Sequence, residues 1–422
     1  MQPDLPDHLP DRLTITLWDF SWYTRTGEGE PFADLDRCFA DAVERGYNTV
    51  RICAMPYLLF GSRIDTSALT FSPFGGEYGL RTRWYDVRRT ATLDGRQHLL
   101  DLFAAARRHD CYVILSSWEY QQSPCFLDDQ SWIDALLAVP PRDRPAALAG
   151  ALADLVDYLA EHDLDDRVAF VELHNEVQGS RLADVAEPGT NRLQALGPLL
   201  EDAVERFRAR HPEQLVTVNY AGVPVGDMRH LPTNVDVAIF HPYVYGVLGE
   251  LVQTFHLRDD EPFPQDRVSA ELLRDDAPKL EAWVLPEAGA WRAGATGMRH
   301  RELYVHDWCD PDKWDRWLYD RYGDHRVAME QQLTMWLDTA ADWAAANSVP
   351  LVFGEGWVGY TPLYATFEEG PVGAEICARA VEGSSRVGAW GTIVCSNAAP
   401  QHPMWADVDL QRRLNVGFLA TG

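Results

Sequence analysis

The chain has 422 residues, of which 46% are hydrophobic, so it can bury the core of one large domain or of two ordinary ones. Its 64 acidic and 37 basic side chains give a formal net charge of −27. This charge argues against nucleic acid or an anionic membrane as a partner, because both attract basic surfaces. A neutral or cationic ligand suits it better.

The N-terminal segment MQPDLPDHLPDRL carries acidic residues and proline where a signal peptide needs a basic start and an apolar stretch. No apolar run approaches the ~20 residues that span a bilayer. The seven cysteines are scattered, odd in number and without a CxxC spacing, which is typical of reduced thiols. We therefore predict a cytoplasmic protein.

Eight short apolar runs, many of them β-branched, have the composition of strands buried on both faces. In chain order these runs are 13–18, 49–55, 112–117, 168–174, 215–220, 236–241, 350–355 and 391–396. Amphipathic patterns between them predict helices at 34–46, 95–109, 144–162, 191–211, 325–346 and 371–383, with a last helix within 407–419.

This alternation predicts an α/β fold, a closed (β/α)8 TIM barrel that forms a single domain over residues 1–422. An open doubly wound sheet is the alternative. Two segments, 56–94 after strand two and 242–324 after strand six, are longer than ordinary loops. We expect 242–324 to form a lid or subdomain over the catalytic mouth, where its five tryptophans would close a pocket.

Two of the predicted strands deliver a glutamate at the point where the run turns polar. VAFVELHNEV places Glu176 at the end of strand four, and PLVFGEGWVGY places Glu355 at the end of strand seven. Barrel enzymes keep their chemistry at the carboxyl ends of the strands. Two carboxylates there are what hydrolysis of a glycosidic bond requires, one as proton donor and one as nucleophile or base.

This placement resembles clan A of the glycoside hydrolases, a large set of retaining (β/α)8 enzymes, and especially the cellulase-like family 5. The resemblance implies that Glu176 is the acid/base and Glu355 the nucleophile. It also implies that Asn175, beside the acid/base, binds the sugar 2-hydroxyl. Arg51 in NTVRI matches a strand-two arginine that lies near the nucleophile in the family.

His241 and Tyr243 in FHPYVYG match the strand-six His-x-Tyr pair of the same family. Opposite charge from Arg51 and a hydrogen bond from Tyr243 would both favour the ionised form of Glu355. His241 would bridge the two glutamates and help to restore the proton on Glu176.

Two departures favour a divergent branch of the clan over family 5 itself. The family usually has a histidine at the end of strand three, where this chain has Ser116, Ser117 and Trp118. It has a tryptophan at the end of strand eight, where this chain reads Cys395-Ser396-Asn397. Cellulose and mannan specificities are therefore not expected to transfer.

Further substrate contacts are predicted from residues at or just beyond strand ends. Indole rings stack on pyranose faces, although burial in the core is the ordinary use of tryptophan. The expected contacts are Trp18, Asp19, Trp118 and Trp357; Trp22 has a similar placement, and Glu119 and Glu287 are further candidates.

Rival functions have weaker signals. GEGWVG at 354–359 matches the dinucleotide fingerprint by letter, but a loop follows it instead of a helix. None of the 13 histidines forms an H-x-H or H-E-x-x-H motif, and G-x-S-x-G is absent, so we expect no metal and no cofactor. A transglycosidase and a non-catalytic sugar-binding barrel stay open, as does a homo-oligomer. The expected ligand is a small, β-linked glycoside.

Overall fold

The computed structural model describes residues 5–73, 88–121, 127–285, 298–359 and 365–421. Eight parallel strands form a barrel, and all of the predicted strand positions are confirmed. The strands are β1 Leu13–Asp19, β2 Thr49–Cys53, β3 Tyr112–Ser116, β4 Val168–Glu172, β5 Val216–Thr217 continued by Asn219–Ala221, β6 Ala238–His241, β7 Leu351–Phe353 and β8 Gly391–Ile393.

The sheet closes through β5, whose two halves pair with different neighbours. Val216 in the first half pairs with Val171 of β4, and Asn219 in the second half pairs with Ile239 of β6. The remaining strands pair in chain order, and β8 returns to β1. The expected (β/α)8 barrel is therefore confirmed, and the open doubly wound sheet is wrong.

Amphipathic helices follow the strands and pack their apolar faces against them. Side chains of Asp34, Asp94 and Asn191 cap the first turns of three of these helices. The larger helices are Leu35–Glu44, Gly95–Arg108, Ser131–Ala138, Arg144–Ala160, Arg192–Arg208, Pro311–Asn347, Pro371–Arg386 and Val408–Leu419. None of the helices in the described ranges is long and apolar enough to cross a bilayer.

The helix before β7 starts earlier than the sequence pattern predicted. It begins at Pro311 instead of residue 325, because Asp310 accepts hydrogen bonds from the first-turn backbone and Pro311 fits the first helical position. The first part of this helix belongs to the long segment after β6. That segment also contains the helices Val247–Thr254, Gln265–Glu271 and His300–Trp308.

The long segment after β2 is a smaller addition to the barrel. It contains a short π-helix, Tyr57–Gly61, and a two-stranded antiparallel ribbon in which Leu69–Phe71 pairs with Ala91–Leu93.

The barrel interior changes character along its axis. Its amino-terminal end is filled by apolar side chains such as Ile15, Ile114 and Phe170. Toward the carboxyl ends of the strands, fully buried polar side chains replace them, including Arg51 and Glu172. Buried polar groups need hydrogen-bond partners, so this end of the barrel has to be organised around a polar network.

Candidate active site

Glu355 follows β7 and receives hydrogen bonds from two of the predicted partners. Arg51 Nη1 donates to Glu355 Oε1 at 2.7 Å, and the Tyr243 hydroxyl donates to Oε2 at 2.9 Å. The Tyr243 hydroxyl also lies 2.6 Å from Ser396 Oγ, at the end of β8. Both donors stabilise a negative charge on Glu355.

Glu176 also contacts His241. Its backbone has a left-handed conformation with φ of 43°, which is uncommon for a residue with a side chain, and its N–H donates to Asn219 Oδ1. His241 Nδ1 lies 3.2 Å from Glu176 Oε1, and Gln121 Nε2 donates to Oε2 at 3.2 Å. Burial acts to raise the pKa of Glu176, but the hydrogen bonds from His241 and Gln121 outweigh it and lower this pKa.

The two glutamates are close to each other. A carboxylate oxygen of Glu176 and one of Glu355 lie within 4.8 Å, and His241 Nδ1 is close to both, at 3.6 Å from Glu355 Oε1. The structure therefore brings together the pair that lies far apart in the sequence.

Arg51 is fully buried and also binds a third carboxylate, Glu172, which was not predicted from the sequence. Its Nε and Nη2 donate to the two oxygens of Glu172, each at 2.7 Å, and its guanidinium lies 4.6 Å from the Trp118 ring centre. Burial acts to lower the pKa of Arg51, but Glu172 and Glu355 raise it above its ordinary value. The available sequence signal for the Arg51–Glu172 pair was one acidic residue inside an apolar strand and one basic residue inside another.

Asn175 lies behind the wall of the site. Its Oδ1 accepts from Arg51 at 2.8 Å, and its Nδ2 donates to Gln121 at 2.9 Å. Only 2% of the residue is exposed. Gln121, which contacts both Asn175 and Glu176, lies on the wall of the site where Asn175 does not.

A cavity of about 270 Å³ opens above the two glutamates. Predicted residues on its wall are Asp19, Trp118, Glu176, Tyr243 and Glu355. The wall also has polar or aromatic residues that were not predicted from the sequence, namely Phe20, Gln121, Tyr245, Arg258, Glu368, Ser396, Asn397 and His402.

Three predicted tryptophan contacts are wrong, because these side chains are fully buried away from the cavity. Trp18 packs on Phe32 and Phe39. Trp357 donates its indole N–H to carbonyls of β8 and its following loop, and Trp22 donates to the carbonyl of Cys53. A tryptophan at a strand end serves the core as readily as a sugar site, and here the core has three of the four.

The tryptophans of the segment after β6 do not reach the cavity wall either. Trp283 packs on Tyr304, Trp314 on His306 and Trp317 on Phe255, while Trp308 lies beneath Arg274. They form the core of the inserted segment itself, so the expectation that they close the pocket is wrong for these four. Trp291 and Glu287 lie outside the described residues.

Asp19 is a third carboxyl group on the wall, and only 8% of it is exposed. It accepts hydrogen bonds from the backbone of Ser21 and from Gln401 Nε2, the latter at 3.3 Å. Burial raises the pKa of Asp19 to about 7. Glu119 has the same pKa of about 7 for the same reason, but it is off the wall and accepts from the backbone of Tyr57 and Leu58.

Among the described residues, one set of donors is close enough to hold a metal ion, namely Glu176, His241 and Glu355. The Arg51 guanidinium, 2.7 Å from Glu355, would repel a cation held there. These residues therefore fit a metal poorly and fit a pair of catalytic carboxylates well.

The fold and this site define a (β/α)8 barrel protein with a two-carboxylate cavity at the carboxyl ends of its strands. Residues 15–418 match the family model described as sugar-binding cellulase-like, and the chain belongs to this cellulase-like family. The expected relationship to cellulase-like glycoside hydrolases is thereby confirmed, with the chain as a divergent member. A search of curated proteins gives no match.

Solved structures resemble this chain at low sequence identity. A candidate glycoside hydrolase from Parabacteroides distasonis superposes with a TM-score of 0.69 at 19% identity, over 97% of this chain and 93% of that one. A family 5 mannosidase from Rhizomucor miehei gives 0.48 at 11%, over 98% and 94%. A subfamily 18 member of family 5 from Streptomyces cattleya, bound to GlcNAc, gives 0.46 at 14%, over 93% and 71%.

Proposed function

We propose that the protein is a retaining glycoside hydrolase in which Glu176 is the acid/base and Glu355 the nucleophile. The observation that carries the proposal is the separation of the two carboxylates, whose oxygens approach within 4.8 Å. Retaining glycosidases have carboxyl groups about 5–5.5 Å apart, whereas inverting enzymes leave about 6.5–9.5 Å for a water molecule.

In the first step, Glu355 attacks the anomeric carbon while the glycosidic C–O bond breaks and Glu176 gives its proton to the departing oxygen. In the second step, a water molecule attacks the same carbon, the bond to Glu355 breaks, and the proton from water returns to Glu176. The balance is one glycosidic bond and one water consumed, with the configuration retained. No cofactor is required.

The surrounding contacts suit these roles. Glu355 is held by Arg51 and Tyr243, which orient it as a carboxylate toward the cavity. Among the described residues, Glu176 forms hydrogen bonds with His241 and Gln121 and with no arginine or lysine, so it can exchange a proton during the cycle. Asn175, through Gln121, supports the same wall.

The cavity favours a small substrate over a polymer. Its volume of about 270 Å³ lies below the usual range of roughly 300–1,000 Å³ for ligand pockets. Tyr243, Tyr245, Arg258 and Met298 of the segment after β6 form part of its wall, as a lid would. Since four wall residues are acidic and one is an arginine, we propose a neutral or cationic, β-linked glycoside.

A panel of aryl β-glycosides tests this function, with the anomer of the first product followed by proton NMR. We expect hydrolysis of at least one sugar with the β-anomer formed first. Glu355→Gln should abolish turnover, and the matched variant Glu119→Gln, a buried glutamate off the wall, should keep it. An α-anomer as first product would exclude retention, and inactivity on the whole panel would exclude the function.

The role of Glu176 is tested by removing the acid. Glu176→Ala should cleave substrates with very good leaving groups and lose those with poor ones, because only the latter need a proton. Azide should restore turnover and give a β-glycosyl azide. If Glu176→Ala hydrolyses poor leaving groups as fast as the wild type, the assignment is wrong.

A further inference from the structure

A third glutamate, Glu172 at the end of β4, contacts the partners of both proposed catalytic residues. It is fully buried and does not reach the cavity. Arg51 donates to both of its oxygens at 2.7 Å and, through its remaining terminal nitrogen, to Glu355 at 2.7 Å. Arg51 is therefore divided between two carboxylates.

Glu172 is also linked to Glu176. The side-chain N–H of Asn219 donates to Glu172 Oε2, and the amide oxygen of Asn219 accepts the backbone N–H of Glu176. Glu176 is the residue with the left-handed backbone, so this hydrogen bond supports a conformation that costs energy. Ser116 Oγ donates a further bond to Glu172 Oε2 at 2.9 Å.

The carboxylates around Arg51 carry one more negative charge than Arg51 can balance. An arginine stays protonated, so with Glu172 and Glu355 ionised, one positive charge faces two negative ones. His174 does not alter this count, because burial lowers its pKa to about 4. Tyr243 stays neutral, because burial raises its pKa well above the ordinary value. Among the described residues, His241 contacts both glutamates, and Asp19 lies on the same cavity wall.

We infer that Glu172 is a positioning residue that neutralises Arg51, so that Arg51 orients Glu355 without cancelling its charge. Through Asn219 it also holds the backbone that presents Glu176. The uncancelled charge on Glu355 stabilises the positive charge that develops on the sugar and helps to hold the proton on Glu176. The inference rests on the proposed function.

Glu172→Gln tests the charge while nearly preserving the shape. Arg51 would then neutralise the charge of Glu355 instead of that of Glu172. We therefore expect kcat/KM to drop on the order of 100-fold. The pKa of Glu176 should fall, which moves the alkaline limb of the kcat/KM profile about one unit toward lower pH. Glu172→Asp keeps the charge and should leave the limb in place despite some loss of activity.

Glu119→Gln is the matched control, because Glu119 is equally buried and contacts neither Arg51 nor Asn219. Its profile should coincide with that of the wild type. If the alkaline limb of Glu172→Gln also stays in place, or if Glu172→Asp moves it as far as Gln does, Glu172 does not act through its charge.

Carbon-13 NMR titration of the Glu176 carboxyl measures the pKa of Glu176 directly, without turnover. The Glu176 signal is assigned by its loss in Glu176→Gln, and its pKa should be about one unit lower in Glu172→Gln than in the wild type. If the wild type cleaves no glycoside, the proposed function fails while this titration still decides the role of Glu172. An unchanged pKa would overturn the inference.

Asn219→Ala tests the second link, and it stands in should Glu172→Gln not fold. It removes no charge, so the alkaline limb should stay in place while kcat falls about tenfold or more because Glu176 is misplaced. Unchanged kcat in folded Asn219→Ala would show that this link does not position Glu176.

Discussion

The hydroxyl groups of Tyr243 and Ser396 lie 2.6 Å apart, and their neighbours define the direction of this hydrogen bond. Tyr243 has one proton, which it donates to Glu355 Oε2. Ser396 must therefore donate to Tyr243, while Ser396 Oγ accepts from the backbone N–H of Gly356 at 3.0 Å. The result is a directed chain that ends on the proposed nucleophile, and each bond polarises the next.

Breaking this chain should weaken catalysis more when the lost hydrogen bond lies closer to Glu355. Tyr243→Phe removes the direct donor, so kcat/KM should fall about 10- to 100-fold, whereas Ser396→Ala should cost only a few-fold. Steady-state kinetics on an aryl glycoside measures both. Tyr220→Phe is the control, because the buried Tyr220 hydroxyl has no partner among the described residues. A larger loss for Ser396→Ala than for Tyr243→Phe would contradict the direction of the chain.

The pH profile should report the hydrogen bond between His241 and Glu176. An acid must be protonated to act, and the partners of Glu176 lower its pKa, so kcat/KM should decline from acidic pH upward. His241→Asn removes the contact at 3.2 Å, and the pKa of Glu176 should rise. The alkaline limb of kcat/KM then moves to higher pH, opposite to the shift expected for Glu172→Gln. A limb that moves to lower pH would show that His241 does not lower the pKa of Glu176.

Asp19 should make the protein less stable as the pH rises. Its pKa is about 7 in the folded protein and ordinarily 3.8, so the folded state binds the extra proton between these values. Stability from this group is therefore lost as pH rises from about 4 toward 7. Asp19→Asn removes this dependence of stability on pH. The backbone at residue 19 is left-handed, with φ of 44°, a conformation that Asn tolerates well.

Urea unfolding at pH 5 and pH 8 measures this effect. The difference in free energy of unfolding between Asp19→Asn and the wild type should shift in favour of the variant by on the order of 2–4 kcal/mol from pH 5 to pH 8. Glu119→Gln serves as a comparison, because burial raises the pKa of Glu119 to about 7 as well, and it should show a gain of the same sign. An equal difference from the wild type at both pH values would mean that Asp19 titrates as an exposed carboxyl.

The sequence was sufficient for the barrel and for the glutamate pair, because apolar runs of strand length and the polar residues that end them are local patterns. Glu172 was missed because it stands inside such a run, where local pattern shows only an interruption and its partner Arg51 is far away in the chain. The tryptophans were misplaced for a related reason. Whether an indole at a strand end faces the core or the cavity depends on packing between elements, as Trp18 against Phe39 illustrates.

The wall contributed by the segment after β6 should restrict the proposed glycosidase to small substrates. Tyr245 is 42% exposed and its neighbour Tyr243 contacts Glu355, so a bound sugar would have this segment directly beside it. On the β8 side, Ser396, Asn397 and His402 offer polar groups to sugar hydroxyls.

We expect a disaccharide-sized β-glycoside to be cleaved at least about tenfold more efficiently than a soluble β-glucan, because a closed pocket accepts only a chain end. Tyr245→Ala should lower the ratio of efficiency on the small glycoside to efficiency on the polymer, because it opens the wall. Val327→Ala, at an exposed position off the cavity wall, should leave this ratio unchanged. Equal or better efficiency on the polymer would mean that the site is an open cleft and that the segment after β6 is no lid.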